Sequence, residues 1–143
     1  MTLLPFAVNN LFRFDVGVYE LGSFTSCQGL GCSVATETRT EGGVNDRVHQ
    51  LPSHLEYSHI TLSRPLTQLT TTVWAWISAQ ARTPVPLLAD LTALGPDRQP
   101  LVRWILYGVV PVRWNAPAFD TETSGAATET LEIAHNGFVE SPL

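Results

Sequence analysis

The sequence predicts a mainly β protein, a two-sheet β-sandwich or partly open barrel with one short α-helix. Several short segments alternate apolar and polar residues with a period of two, which is the pattern of half-buried strands. Only one segment, "QLTTTVWAWISAQAR", shows convincing helical spacing. No repeat, linker or low-complexity stretch interrupts this order, so we expect a single domain over residues 1–143.

The first predicted strand lies in "NNLFRFDVGVYELGSF". Its apolar residues alternate toward one face of an extended chain: Phe12, Phe14, Val16 and Val18. Arg13 and Asp15 fall on the other face, and the strand is expected to end near Gly22. Gly29 and Gly31 in "CQGLGC" then mark a bulge or tight bend before the next strand.

That next strand, in "VATETRTEGGVND", is polar on both faces. Threonines occupy one side and charged residues the other, in the order Thr36, Glu37, Thr38, Arg39, Thr40, Glu41. A strand without a buried face has a weakly specified register and needs a partner. The segment that follows, "VNDRVHQLPSHLEY", shows little regular pattern and is predicted to be a long connection.

The centre of the chain adds a strand and the helix. "EYSHITLSRPL" is predicted to be a strand with Ile60 and Leu62 on one face, closed by Pro65. In the helix, the residues with helical spacing are Leu69, Val73, Trp76, Ile77 and Gln80. Thr70 or Thr71 is the expected cap, and so short a helix needs a sheet to pack against.

The last part of the chain predicts a hairpin and a final strand. "VPLLADLTALGPDRQPLVRWILYGVVPVRW" contains an apolar run, a Gly-Pro-Asp turn and a long strand that bends at Gly108 or Pro111. If the pleat continues through the bend, its inner face consists of Trp104, Leu106, Val110 and Val112. In "ATETLEIAHNGF", Leu131 and Ile133 point to one side of the final strand.

Composition narrows the functional classes. The 143 residues can bury one sizeable core, with 44% hydrophobic and 15% charged residues. All eight basic residues are arginines and the net charge is −5, so we expect no nucleic-acid binding by the outer surface. The start lacks the pattern of a signal peptide, and no segment approaches the length of a membrane span. We therefore expect a cytoplasmic protein without a membrane anchor.

The residues that could carry chemistry do not form a recognisable site. Cys27 and Cys32 are interpreted as small apolar residues in a reducing compartment, in preference to a disulfide or a metal site. His49, His54 and His59 recur every five residues, but an odd spacing on one extended strand sends neighbours to opposite faces. No catalytic or phosphate-binding motif is present. We expect no catalysis, no cofactor and no metal.

Four segments in order resemble the tail-tube, or inner-tube, family of contractile phage tails and phage-tail-like contractile injection systems. They are "RTEGGVNDRVHQLPSHLEYSHITLSRPL", "VWAWI", "VRWILYGVVPVRWNAPAFD" and "ETLEIAHNGF", within residues 10–138. The family carries "REGG", "KYGNITLKRG", a tryptophan-containing helix, "WPVKW" and "ESLELAHEG" in the same order. This chain departs from the pattern at Ser53 and Pro65, where the family often has glycine, and at Leu106–Tyr107.

The resemblance implies a structural subunit that assembles into hexameric rings, which stack into a hollow tube inside a contractile sheath. Its partners would be further copies of itself, the sheath protein, and baseplate and tube-terminating proteins, with cargo in the lumen. A shared inter-subunit sheet or lumen strand would comprise Thr36, Glu37, Thr38, Arg39, Thr40 and Glu41. An extended loop over 44–53 would reach neighbouring subunits, and the predicted ring interface is Gly42, Gly43, Val44, Asn45, Asp46, Arg47, Val48 and Leu51.

Two alternatives remain open on the sequence. One is a baseplate-proximal tube initiator, a paralogue within the same machine. The other belongs to a different class, a monomeric β-barrel ligand-binding module with Trp74, Trp76 and Trp104 around an apolar pocket. Trp74 and Trp76 are nevertheless more often core residues than a ligand platform, because they neighbour Val73 and Ile77 on a short helix.

Overall fold

The computed structural model describes residues 11–40, 48–116 and 127–142. These residues form ten strands and one helix. In chain order they are β1 (Leu11–Val16), β2 (Tyr19–Phe24), β3 (Ser26–Gln28), β4 (Cys32–Thr40), β5 (Val48–Tyr57), β6 (Ile60–Pro65), α1 (Thr70–Arg82), β7 (Leu87–Leu94), β8 (Pro100–Asn115), β9 (Thr128–Ala134) and β10 (Phe138–Ser141). The prediction of a mainly β fold with one helix is confirmed.

Eight of the strands form the body of the protein. Neighbouring strands are antiparallel and follow the order β2-β1-β7-β8-β9-β6-β3, with β10 added alongside β8. Strand β8 is 16 residues long; its first part pairs with β7 and β10, and its last part pairs with β9. Because β8 belongs to both layers, the sheet folds over on itself. The result is a two-layer body without a closed barrel among the described strands.

The two ends of this strand order meet at Thr25, between β2 and β3. The Thr25 amide donates to the Ser63 carbonyl at 2.9 Å, and the Thr25 hydroxyl donates to the same oxygen at 3.1 Å. The space between the layers is filled by buried apolar side chains: Phe14, Val16, Leu21, Phe24, Ile60, Leu62, Val73, Trp76, Ala89, Leu91, Leu106, Val109, Leu131 and Ile133. Helix α1 covers one side of this core with Val73 and Trp76.

The first strand ends earlier than predicted. The chain reverses at Gly17 and Val18, and the continuation from Tyr19 is a second strand that pairs with the first. Val18 is therefore 90% exposed at the turn, while Phe14 and Val16 are buried as expected. Periodicity does not reveal this turn, because the alternation of residue types runs through it.

The inner face of β8 also differs from the prediction. Leu106 and Val109 are buried, whereas Val112 is 45% exposed. Gly108 has a φ of 63°, in the left-handed region that glycine adopts without strain, and it breaks the pleat between the two buried residues. After this break Val109 takes the buried position, in place of the predicted Val110.

The helix lacks the predicted cap. The residue preceding it is Leu69, and no side chain caps the first turn. The Thr70 hydroxyl donates to the Glu129 carboxylate, and the Thr71 hydroxyl donates to the Gln68 carbonyl at 3.0 Å. Both threonines are used in other contacts. Over the described ranges, no helix is both long enough and apolar enough to cross a bilayer.

Candidate assembly surface

Strands β4 and β5 form a two-stranded arm, which comprises residues 32–40 and 48–57. Among the described strands they pair only with each other, over Cys32↔Tyr57 at the base and Thr40↔Val48 at the far end. The prediction of an irregular connection is therefore partly wrong, since Val48–Tyr57 is a strand. A break at Ser58–His59 separates this strand from β6. Both edges of the arm present unpaired backbone groups in the described structure, which other strands can pair with.

A bulge in β5 divides the arm into two parts. Val34 pairs with Leu55, but two positions farther along β4 Thr36 already pairs with Pro52, so β5 contains one extra residue. Directly opposed residues of an antiparallel pair share a face. Val34 and Leu55 therefore lie together on one face. The bulge brings Leu51 opposite Glu37 on the other face.

The arm buries little of its own surface. Thr36, Glu37 and Thr38 are exposed, as the polar pattern predicts. The apolar residues are exposed as well: 51% for Val34, 50% for Leu55 and 38% for Leu51. A two-stranded hairpin is marginally stable alone in water, and exposed apolar side chains that cluster mark a contact surface. The arm thus has the properties of a segment that is completed by another molecule.

The predicted interface residues fall into three groups. Glu41, Gly42, Gly43, Val44, Asn45, Asp46 and Arg47 lie outside the described residues. Arg39, Thr40 and Val48 belong to the paired strands, and their backbone places them at the far end of the arm. Thr36, Glu37, Thr38 and Leu51 lie on the exposed part of the arm. Sequence reasoning missed the apolar pair Val34 and Leu55, because Leu55 was assigned to a connection without a defined partner.

Two short links join the arm to the body. One contains Gly29, whose φ of 93° favours glycine; a Cβ there would lie 2.1 Å from the His59 carbonyl oxygen. The other is Ser58–His59, and the Ser58 hydroxyl donates to the Gly29 carbonyl at 2.9 Å. The expected bend at the glycines of "CQGLGC" is confirmed, and it places the base of the arm against the body.

Tyr57, the last residue of β5, packs against the turn between β9 and β10. Its ring centroid lies 5.4 Å from that of His135 and 5.6 Å from that of Phe138. His135 is buried, and its Nδ1 accepts a hydrogen bond from the Gly137 amide at 3.1 Å. Its Nε2 has no partner in the described structure. A neutral, buried imidazole therefore supports the base of the arm.

Stability should decrease when the pH falls from 7.5 toward 5. Burial lowers the pKa of His135 below its ordinary value of 6.5. Below pH 6.5 the unfolded chain therefore binds a proton at this histidine more readily than the folded chain does, and the folded state loses stability. His135→Gln should remove part of this dependence, measured as the thermal midpoint by circular dichroism. His54→Gln is the matched control, since His54 is exposed and its Nε2 lies 3.2 Å from Glu56 Oε1. An unchanged pH slope in His135→Gln would contradict this role.

A fully buried ion pair, which sequence reasoning also missed, ties the body together. Arg64 Nε donates to Glu129 Oε2 at 3.1 Å, and Trp114 Nε1 donates to Glu129 Oε1 at 3.0 Å. Arg64 also donates to the carbonyls of Leu21 and Ser23 and lies over the Phe24 ring at 4.1 Å. Together with the hydrogen bond from the Thr70 hydroxyl to Glu129, these contacts join β2, β6, β8, β9 and α1. Charged residues are ordinarily exposed, so their types alone did not indicate burial.

The two tryptophans of the helix do not line one pocket. Trp76 is fully buried, which confirms its assignment to the core, but Trp74 is 55% exposed and packs against Trp114 with ring centroids 6.0 Å apart. Positions two apart on a helix lie on different faces. Both thiols are free, and the described residues contain no group of three histidine, cysteine or acidic residues placed to hold a metal ion.

A mainly β body with an exposed two-stranded arm defines a domain that leaves strand edges open among the described residues. Comparison with protein families and solved structures specifies the class further. Residues 8–139 match the sequence model of the T4-like virus tail tube protein gp19 family. Comparison with curated protein sequences gave no match. Because the match covers most of the chain, the protein belongs to this tail tube family.

Solved structures share the fold at low sequence identity. A chain of the PVC sheath/tube terminator from an extracellular contractile injection system superposes with a TM-score of 0.78 at 20% identity, covering 99% of this chain and 100% of that one. A chain of the PVC sheath-tube complex gives 0.75 at 19%, covering 92% and 88%. A chain of the anti-feeding prophage baseplate gives 0.71 at 19%, covering 99% and 97%. These similarities show a common fold.

Proposed function

We propose that this protein is the inner-tube subunit of a contractile injection system or phage tail. Its hexameric rings stack into a hollow conduit inside the sheath, and its role is structural, without catalysis. The observation that carries the proposal is the arm: in a chain of the tail tube family, two strands pair only with each other and expose Val34, Leu51 and Leu55. Neighbouring copies would bury these residues and pair the open strand edges.

The similar structures support the partners of this subunit. They come from sheath-tube, terminator and baseplate assemblies, so sheath, tube-terminating and baseplate proteins are the expected contacts beyond the ring. The subunit would accordingly be located in a phage tail or a phage-tail-like particle. The exposed threonines Thr36 and Thr38 would lie on the sheet shared between subunits or toward a water-filled lumen.

The purified protein should form rings or short tubes at high concentration, visible by negative-stain electron microscopy. Val34→Ser with Leu55→Ser should abolish them, because the apolar pair would lose its contact with the next subunit. Thermal stability should stay within about 1 kcal/mol of wild type, as for surface substitutions. Val112→Ser with Val139→Ser is the matched control, since both residues are similarly exposed and lie off the arm.

Two outcomes would count against the proposal. A wild-type protein that stays a monodisperse monomer of 15.7 kDa at high concentration would contradict the formation of rings. Equal loss of tubes in the control variant would show that the arm has no specific role in assembly.

Similarity to a baseplate chain supports the tube initiator as the second candidate. A tube initiator should form single rings that do not stack.

A further inference from the structure

A groove lies between the β1–β2 turn and the end of helix α1, on the body and away from the arm. Its volume is about 600 Å³, within the range of ligand-binding clefts. Apolar walls come from Val18, Tyr19, Val85 and Leu87, and Trp76 lines the inner side. Val18 and Val85 are exposed there. The groove therefore presents apolar surface that is open to another molecule.

The outer wall of the groove is held in place before any partner binds. The Gln80 side chain makes two hydrogen bonds to the backbone of Val85: its Nε2 donates to the carbonyl at 2.5 Å, and its Oε1 accepts from the amide at 2.9 Å. These bonds fix the segment that follows the helix. Docking to a preformed wall costs less ordering entropy than docking to a loop that must first be ordered.

The positive charge in the groove indicates that a suitable partner carries a negative charge. Among the described residues, Arg82 is the only charged one that lines it, and it forms no ion pair with any of them. A complementary partner thus brings one carboxylate beside an apolar side chain. On the arm, Glu37 and Leu51 are directly opposed, and Glu37 is likewise without an ion pair in the described part of the chain. The segment 32–57 contains four carboxylates and two arginines, a net charge of −2.

We propose that the face of the arm with Glu37 and Leu51 docks into this groove on a second copy of the chain, an inference that rests on the proposed function and deepens it. Leu51 packs against Val18 and Val85, and Glu37 pairs with Arg82. The other acidic side chain on the arm with a described position is less suited, because Glu56 already interacts with His54 at 3.2 Å close to the base. The opposite face, with Val34 and Leu55, remains for another contact.

Disulfide cross-linking between two preparations tests the contact directly. One preparation carries Leu51→Cys and the other Val18→Cys, with tags of different size, in a Cys32→Ser background that removes the exposed thiol. Cys27 can stay, because burial raises the pKa of its thiol to about 11 and leaves little thiolate. Mild oxidation should give a mixed covalent dimer on a non-reducing gel.

The matched control replaces Leu51→Cys with Leu55→Cys, which lies on the opposite face of the arm. Its mixed dimer with Val18→Cys should form in about tenfold lower yield, because a disulfide requires Cα atoms within roughly 7 Å. Circular dichroism of each variant confirms that it is folded. Yields that are equal for Leu51→Cys and Leu55→Cys would overturn the proposed docking.

A charge exchange gives an independent readout that needs no new cysteine on the contact. Arg82→Glu and Glu37→Arg should each reduce assembly, and the two together should restore it, whereas Arg98→Glu in the exposed β7–β8 turn should have no effect. Tubes that form without the mixed dimer would refute this contact and leave the proposed function intact. A mixed dimer without tubes would refute the proposed tube function and support the docking contact. The absence of both would refute both.

Discussion

Replacing Glu129 with glutamine should lower the free energy of unfolding by about 3 to 5 kcal/mol, measured by urea denaturation. Glu129 is fully buried, and its two oxygens accept hydrogen bonds from Arg64, Trp114 and Thr70. Without the carboxylate charge, the guanidinium of Arg64 stays buried among carbonyls and the Phe24 ring without a counter-ion. An uncompensated buried charge of this kind is strongly destabilising.

Two further variants separate charge burial from loss of packing. Glu132 lies on the same strand as Glu129, and its side chain is 28% exposed. Glu132→Gln should therefore change the free energy of unfolding by less than about 1 kcal/mol. Arg64→Met combined with Glu129→Met removes both charges and should recover most of the stability lost by Glu129→Gln alone. If the double variant is as unstable as the single one, hydrogen-bonded geometry matters more than charge burial.

Trp76→Ala should destabilise the subunit by about 3 to 5 kcal/mol, because the indole is fully buried between α1 and the sheet and its removal leaves a cavity. Thermal and urea denaturation of the isolated protein measure the effect. Trp74→Ala is the matched control on the same helix. Trp74 is exposed and loses mainly its contact with Trp114, an aromatic pair worth about 0.5 to 1.5 kcal/mol.

The outcome also bears on the ligand-binding alternative. A Trp76→Ala protein that melts like wild type but no longer binds a small molecule would favour a binding module. Equal losses in Trp74→Ala and Trp76→Ala would contradict the assignment of the two tryptophans to different faces. The arrangement in the structure predicts a large effect for the inner residue and a small one for the outer residue.

Local patterns in the sequence determined much of this fold. Alternation identified Phe14, Val16, Leu131 and Ile133 as core residues, because a strand with one buried face must place apolar side chains at every second position. The Gly-Pro-Asp turn between β7 and β8 and the position of the helix also follow from nearby residues. Likewise, the polar pattern at Thr36–Thr38 identified a strand that its own chain leaves exposed, and the structure places it on the arm.

Only the tertiary structure decided the features that depend on distant partners. Val48–Tyr57 is a strand because β4 supplies its hydrogen bonds, and the bulge that turns Leu51 toward Glu37 exists only in that pairing. The burial of Arg64 depends on Glu129, 65 residues away in sequence. The periodicity of residue types indicates only which face of its own strand or helix a residue occupies. The energies of strand pairing, charge burial and groove formation are instead set by contacts between segments, which become defined when the sheet folds over.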